Sequence, residues 1–139
     1  MLSWLEIKRN IIGFEDIKYS IHKGNYYIIN TLQSDQQKTL IKNTINSENE
    51  EELINQVLND YKIPDKPFII YGKNSCDDSV NTKYDQLIKL GFKDVYIYRG
   101  GLFEWLLLNE IFGNEEIPLN HENMNINEIL KYRESNILH

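Results

Sequence analysis

The chain has little cysteine and no long apolar run, and each shortage excludes a class of protein. Its 139 residues include a single cysteine, Cys76, so no internal disulfide can form, and a lone thiol is typical of a reducing compartment. The longest apolar stretch, at 102–112, is interrupted by Glu104, Asn109 and Glu110, which argues against a membrane span. The opening MLSWLEIKRN does not predict a signal peptide. We therefore expect a cytoplasmic protein with no membrane partner.

Positive charge is also scarce. The formal net charge is -6 and the isoelectric point about 5.1, which argues against a nucleic-acid partner. The three histidines, His22, His121 and His139, show no metal-ligand spacing with one another or with Cys76, so we expect neither a metal nor a cofactor. With 41% hydrophobic residues, the length fits one globular domain over residues 1–139.

Apolar spacing predicts alternating helices and strands. Helical periodicity marks five segments, and short apolar runs rich in aromatic and β-branched residues mark three strands. The predicted order is helix 13–24, strand 25–32, helix from Ser47, strand 67–71, helix from Ser79, strand 94–98, helix 102–112 and a short helix within 125–133. A strand, helix and strand in succession form a βαβ unit, which predicts an α/β fold with a mostly parallel sheet between helices.

Residues with helix-capping chemistry set the predicted helix ends. Ser47 and Glu50 fit an S-x-x-E capping box. Asp78 is expected to cap the helix that starts at Ser79. Gly91 suits the C′ position of a Schellman motif, with Phe92 packing back on the helix.

The loop between the strand at 67–71 and the next helix is the candidate site. In parallel α/β sheets, ligands bind beyond the carboxyl ends of the strands, and unpaired N–H groups at a helix N-terminus stabilise an anion, including a thiolate. Cys76 lies in this loop, so the alternatives are a reactive thiol and a loop residue without a task. Arg99 follows the next strand at the same edge and could line the site.

The sequence FIIYGKNSCDDSVNTKYDQLIKLGFKDVYIYRGGLFEW, at 68–105, resembles the second half of a rhodanese domain. The segment GFKDVYIYRGG followed by Trp105 is the most specific part. In the first half, FEDIK at 14–18, YYIINTL at 26–32 and LIKNTIN at 40–46 are similar to the family's opening helix, first central strand and following segment. The resemblance implies a domain core at about 11–113, followed by a tail at 114–139 with a short helix.

Rhodanese chemistry, as the resemblance implies it, needs a cysteine directly after the strand. Its thiolate takes a sulfur atom from thiosulfate or a similar donor, and loop N–H groups hold the anionic intermediate. Here Gly72 occupies that position and Cys76 comes four residues later. Asn30, Leu32 and Leu40 replace the family's Asp, Arg and His in the first half.

Charges around Cys76 also oppose that chemistry. Asp77 and Asp78 follow it, disfavour its thiolate and repel an anionic donor, and Lys73 is the only cation in the loop. The related phosphatase pattern C-x5-R fails as well, because the residue that follows five intervening positions after Cys76 is Thr82.

These departures favour a catalytically degenerate domain that acts as a binding or regulatory module. The alternative is a sulfurtransferase that uses Cys76 as a displaced nucleophile. The candidate site then comprises the catalytic candidate Cys76, the possible edge residue Arg99 and the active-loop or anion-binding residues Gly72, Lys73, Asn74, Ser75, Asp77 and Asp78. The expected partner is an unidentified protein or a small anion, and a homo-oligomer through the helix at 102–112 stays open.

Overall fold

The structure, a computed structural model, describes residues 8–59, 63–121 and 126–134. The strands are β1 (Ile11–Ile12), β2 (Tyr27–Asn30), β3 (Phe68–Tyr71) and β4 (Val95–Tyr98), and the helices are α1 (Phe14–Lys23), α2 (Ser47–Asn59), α3 (Ser79–Lys89), α4 (Gly101–Phe112) and α5 (Ile126–Leu130). A short 3₁₀ helix covers Ser34–Gln36. His139 and the opening residues 1–7 lie outside the described residues, as does the start of the helix predicted at 125–133.

The described strands form one parallel four-stranded sheet in the order β1-β4-β3-β2. Ile69 of the central strand β3 pairs with Ile28 on one side and with Tyr96 on the other. The predicted α/β fold with a mostly parallel sheet is therefore confirmed. The sequence analysis missed β1, which is only two residues long.

Alternation along the strands divides the core between two faces of the sheet. One face packs against α1, α4 and α5 and includes Ile69, Tyr71 and Trp105. The other packs against α2 and α3 and includes Phe68 and Ile70. This three-layer arrangement directs the carboxyl ends of β2, β3 and β4 to one edge, where the predicted site lies.

The hydrophobic core also draws side chains from beyond residue 113. Ile117, Leu119, Ile129 and Tyr132 are buried in the cluster that contains Trp105. The Trp105 indole N–H donates to the carbonyl oxygen of Pro118 at 3.0 Å. The segment after α4 is therefore packed against the sheet side of the domain, and its last described part reaches the candidate loop.

Of the three predicted helix ends, the capping box of α2 is wrong, the Schellman motif of α3 is confirmed, and the N-cap at Asp78 is confirmed in position. The Ser47 N–H donates to Gln37 Oε1 and Glu50 binds Lys83 at 2.6 Å, so they form no capping box; the cap of α2 is Asn46, whose Oδ1 accepts from the Glu48 N–H. At the end of α3, N–H groups of Gly91 and Phe92 donate to the carbonyls of Ile88 and Leu87, the predicted Schellman pattern.

Asp78 is the N-cap residue of α3, as predicted, but its side chain makes no capping hydrogen bond there. The neighbouring Asp77 accepts the hydrogen bond from the Ser79 N–H instead, at 3.0 Å. The capping hydrogen bond is therefore displaced by one residue, because the Asp77 side chain turns inward into the loop.

Candidate functional site

The loop at 72–78 joins β3 to α3 at the carboxyl edge of the sheet. The end of β3, directly before the loop, is held against the chain that follows β2, since the Thr31 N–H donates to the carbonyl oxygen of Tyr71 at 2.9 Å. Gly72 and Asn74 are buried, whereas Lys73, Ser75, Cys76 and Asp78 are exposed. The loop thus has a buried inner side and a solvent-exposed outer side.

The inner side of the loop is organised around the carboxylate of Asp77. Its Oδ2 accepts a hydrogen bond from the Lys73 N–H at 3.0 Å. Its Oδ1 accepts from the N–H of Ser79 at 3.0 Å and from the hydroxyl of Ser79 at 2.6 Å. The Ser79 hydroxyl also lies 2.7 Å from Thr31 Oγ1, which links the network to the end of β2. Donors that could bind an external anion therefore bind a carboxylate of the chain itself.

The surroundings of Asp77 favour its ionised form. Burial by itself raises the pKa of this carboxyl, but the hydrogen bonds from Ser79 and from the Lys73 N–H, together with the charge of Lys73, outweigh burial and lower the pKa below its ordinary value. Asp77 is therefore a carboxylate across the physiological pH range, and it neutralises the positive potential of the loop amides.

Gly72 leaves the space that the Asp77 carboxylate fills. A Cβ atom on residue 72 would lie 2.4 Å from Asp77 Oδ2, 2.9 Å from Asp77 Cγ and 3.0 Å from Thr31 Oγ1. Such distances are far below van der Waals contact, so no side chain fits at residue 72 unless Asp77 moves. Position 72 and the Asp77 carboxylate therefore compete for one space.

The first N–H groups of α4 donate hydrogen bonds to carbonyl oxygens of the same loop. The N–H of Leu102 donates to the Gly72 carbonyl oxygen at 2.9 Å, and the N–H of Phe103 to the Lys73 carbonyl oxygen at 2.8 Å. This approach needs a glycine at 101, because φ there is +71° and a Cβ would lie 2.8 Å from Asn74 N. Because loop carbonyls accept from these helix N–H groups, the loop is held in place and the N–H groups are not available to a ligand.

Cys76 lies on the outer side of the loop. It is a free, exposed cysteine, and its N–H donates to Asn74 Oδ1 at 2.9 Å. The next N–H, of Asp77, donates to the Asn74 carbonyl oxygen at 3.2 Å. Three loop N–H groups, those of Lys73, Cys76 and Asp77, and the first N–H of α3, that of Ser79, are thus bound to Asp77 or Asn74.

The buried Asn74 ties the loop to the last described segment. Its Nδ2 donates to the carbonyl oxygens of Tyr132 at 2.9 Å and Arg133 at 3.2 Å. The exposed Ser75 hydroxyl donates to Glu134 Oε1. These contacts, together with the buried Tyr132 ring, hold the segment 126–134 beside the loop.

Arg99 lies apart from the Asp77 network. Its Nη1 donates to Asn81 Oδ1 of α3 at 2.9 Å, so its guanidinium connects the end of β4 to the first turn of that helix. Lys73, the cation expected to serve the loop, is exposed and acts on Asp77 through its charge. Among the residues described in 8–59, 63–121 and 126–134, no cluster of His, Cys, Asp and Glu could hold a metal ion. Within those same ranges, no helix is long and apolar enough to cross a bilayer.

Sequence reasoning missed three participants in this network. Thr31 and Ser79 supply hydroxyl groups, and the backbone carbonyls of residues 132 and 133 supply acceptors for Asn74. An Asp-x-Ser sequence at 77–79 was the available signal, since an Asp side chain commonly accepts from the N–H two residues on. Nothing in the local sequence indicates that the segment 126–134 reaches the loop.

The family comparison agrees with the strand, loop and helix order at this site. The family model of the Rhodanese-like domain matches residues 15–108, well over half of the chain. The chain belongs to the rhodanese-like domain family. No curated protein gives a significant match.

Solved structures similar to this rhodanese-like domain come from several bacteria. A Lactobacillus plantarum protein has a TM-score of 0.58 and 18% identity over 80% of this chain and 87% of its own. The BH2092 protein of Bacillus halodurans has a TM-score of 0.57 and 16% identity over 72% and 73%. The solution structure of the rhodanese-like domain of the Anabaena sp. Alr3790 protein has a TM-score of 0.52 and 16% identity over 96% of both. At these identities the likeness shows the fold alone.

Proposed function

We propose that this rhodanese-like domain does not transfer sulfur and acts as a cytoplasmic binding or regulatory module. The observation that carries the proposal is the Asp77 carboxylate, which accepts hydrogen bonds from Lys73 and Ser79 and fills the space beside Gly72. In the family's chemistry, a cysteine at that position and an anionic sulfur donor need the same space and the same N–H groups. The Asp77 carboxylate fills the space of the first and competes with the second for the N–H groups.

Electrostatics support the same proposal. An external anion such as thiosulfate would need the hydrogen-bond donors of Lys73 and Ser79. These same donors lower the pKa of Asp77, so the anion would have to displace an ionised carboxylate. Like charges in one site disfavour each other, so a small anion is a poor ligand for this loop. We therefore assign the binding role to a protein partner.

One observation favours a second candidate, sulfur transfer by Cys76. Its thiol is free and exposed at the carboxyl edge of the sheet, where solutes can reach it. In that reaction the Cys76 thiolate would attack the outer sulfur of thiosulfate, sulfite would leave, and cyanide would take the sulfur as thiocyanate and restore the thiolate.

Turnover from thiosulfate to cyanide tests both candidates. The purified protein is compared with Cys76→Ser, and an active rhodanese serves as the positive control. We expect thiocyanate formation at the background rate in both proteins. Mass spectrometry after exposure to thiosulfate and to polysulfide would detect one added sulfur atom on Cys76 and extends the test to other donors. Turnover or sulfur loading that disappears in Cys76→Ser would overturn the proposal.

A further inference from the structure

The outward face of α4 is an apolar stripe with acidic residues on both sides. Phe103, Leu107 and Ile111 follow one another at four-residue spacing, which places them on one helix face. Phe103 is partly buried, whereas Leu107 is 39% exposed and Ile111 is 69% exposed. At the helix end, Phe112 is 58% exposed. We call Phe103, Leu107 and Ile111 the α4 stripe.

Other apolar side chains of α4 are buried or partly buried. Leu102, Trp105 and Leu106 are fully covered by the sheet side of the domain, and Phe103 and Leu108 pack partly against the same core. Leu107 and Ile111 therefore lie away from the core, and burial within the domain does not explain their apolar character. Contiguous exposed apolar side chains of this kind mark interaction surfaces.

The charged residues of α4 itself, Glu104 and Glu110, are both negative. With 3.6 residues per turn, Glu104 and Glu110 lie about 60° to either side of Leu107. Residues 101–116 contain four glutamates and no lysine, arginine or histidine. The Glu104 carboxylate accepts a hydrogen bond from the Tyr98 hydroxyl at 2.6 Å and Glu116 pairs with Lys18, whereas Glu110 and Glu115 are exposed.

We propose that the α4 stripe is the docking surface for a basic amphipathic helical segment of another protein. The partner would place apolar side chains at helical spacing on Leu107 and Ile111 and lysine or arginine beside Glu110. Complementary charges at the rim set the partner and its orientation, and an amphipathic helix supplies the matching apolar face. This inference rests on the proposed binding role and names the chemistry of the partner.

The same charges argue against the other occupants. A second copy of the chain would bring an acidic α4 against an acidic α4, with no basic residue of that helix to compensate. An anionic lipid surface would be repelled by Glu110 and Glu115. A basic partner segment is the occupant that satisfies both the apolar and the charged groups.

The test uses two labelled model peptides on the full-length protein, read by fluorescence anisotropy. One carries Leu at helical spacing with Lys elsewhere, and the second carries Glu in place of each Lys. Leu107→Ser and Ile111→Ser remove the α4 stripe. Their matched controls are Leu58→Ser and Ile88→Ser, which are 42% and 41% exposed on α2 and α3, across the sheet.

We expect the lysine peptide to bind and the glutamate peptide not to bind. Leu107→Ser and Ile111→Ser should each raise the dissociation constant about tenfold or more, whereas the controls should change it by less than about twofold. Glu110→Gln should raise the dissociation constant and make it less dependent on salt. The control Glu48→Gln, at an exposed position on α2, should change neither. Amide NMR shifts in the wild-type protein should centre on 103–112, which keeps the test valid if a variant misfolds.

Several results would overturn the inference. These are equal weakening by stripe and control variants, equal binding of the two peptides, binding of neither, or a dimer in sedimentation equilibrium that Leu107→Ser dissociates. Binding is measured in the Cys76→Ser background as well. If Cys76 transfers sulfur, the proposed function is wrong, but the measured peptide binding is unaffected. If the peptide does not bind, the docking inference is wrong, but the sulfur-transfer result still holds.

Discussion

The Asp77 carboxylate and the missing side chain of Gly72 occupy one place in the molecule. A Cβ on residue 72 would approach Asp77 Oδ2 to 2.4 Å, while the same carboxylate accepts hydrogen bonds from Lys73 and Ser79. A side chain at residue 72 and an ionised Asp77 in this position are therefore mutually exclusive. The absence of a cysteine at residue 72 is therefore linked to the presence of the Asp77 carboxylate beside it.

The first prediction is that Gly72→Ala destabilises the protein through Asp77. The new methyl group must push the carboxylate off its donors, which should lower the free energy of unfolding by about 1–3 kcal/mol. In an Asp77→Ser background the same change should cost clearly less, because the shorter side chain leaves room. Urea denaturation of the four proteins of this double-mutant cycle measures the coupling. Equal costs in both backgrounds would show that Asp77 does not oppose a side chain at residue 72.

The second prediction concerns pH. Because the pKa of Asp77 is lower in the folded protein than its ordinary value of about 4, ionised Asp77 stabilises the fold above that ordinary value, and this stabilisation is lost as pH falls through the folded pKa. The difference in free energy of unfolding between the wild type and Asp77→Asn should be constant above about pH 5 and should shrink below about pH 4.

Asp78→Asn is the matched control for this pH series. Asp78 is the adjacent carboxylate, exposed and without a capping hydrogen bond, so its variant should stay within about 0.5 kcal/mol of the wild type. Denaturant titrations from pH 3 to pH 7 in steps provide the comparison. A wild-type advantage over Asp77→Asn that persisted at the lowest pH would contradict the assignment of Asp77 as the stabilising anion.

Much of this fold was predictable from the sequence because its signals are local. The runs at 68–71 and 95–98 are wholly apolar or aromatic, as buried parallel strands require, and Gly91 followed by Phe92 specified a Schellman end. β1 was missed because two residues carry no periodicity. The capping box at Ser47 failed because a partner distant in sequence, Lys83, binds Glu50.

The candidate site was predictable only in position. Sequence reasoning placed the loop correctly and treated Asp77 as a charge beside Cys76. Which of two adjacent aspartates turns inward depends on the empty space at Gly72 and on the Thr31 hydroxyl, which comes from another strand. The contact between Asn74 and residues 132 and 133 is likewise tertiary, so no local pattern encodes it.

The third prediction is that Asn74 holds the segment 126–134 beside the loop. Asn74→Ala removes the donors to the Tyr132 and Arg133 carbonyls and leaves buried groups unpaired, which should cost about 1–3 kcal/mol. Limited proteolysis should also cut the segment 126–134 faster in the variant. Asn81→Ala, which removes a partly buried bond to Arg99, is the control and should leave the proteolysis rate unchanged. Faster cleavage in both variants would indicate general destabilisation in place of a local tie.

The last prediction is that exchanging the two competing groups introduces sulfur transfer at residue 72. With Gly72→Cys and Asp77→Ser combined, a thiol takes the space of the carboxylate, and the N–H groups of Lys73 and Ser79 become free to stabilise its thiolate and the anionic persulfide. Cys76→Ser is added so that the new thiol is the only one in the chain. This triple variant should form thiocyanate from thiosulfate and cyanide above the background of the wild type. Gly72→Cys with Cys76→Ser, in which Asp77 is retained, should not, because the displaced carboxylate stays beside the new thiol, disfavours its thiolate and repels the donor. Equal turnover in the two variants would mean that Asp77 is no barrier to the chemistry, and a folded but inactive triple variant would mean that Lys73 alone is too little positive charge to hold the donor.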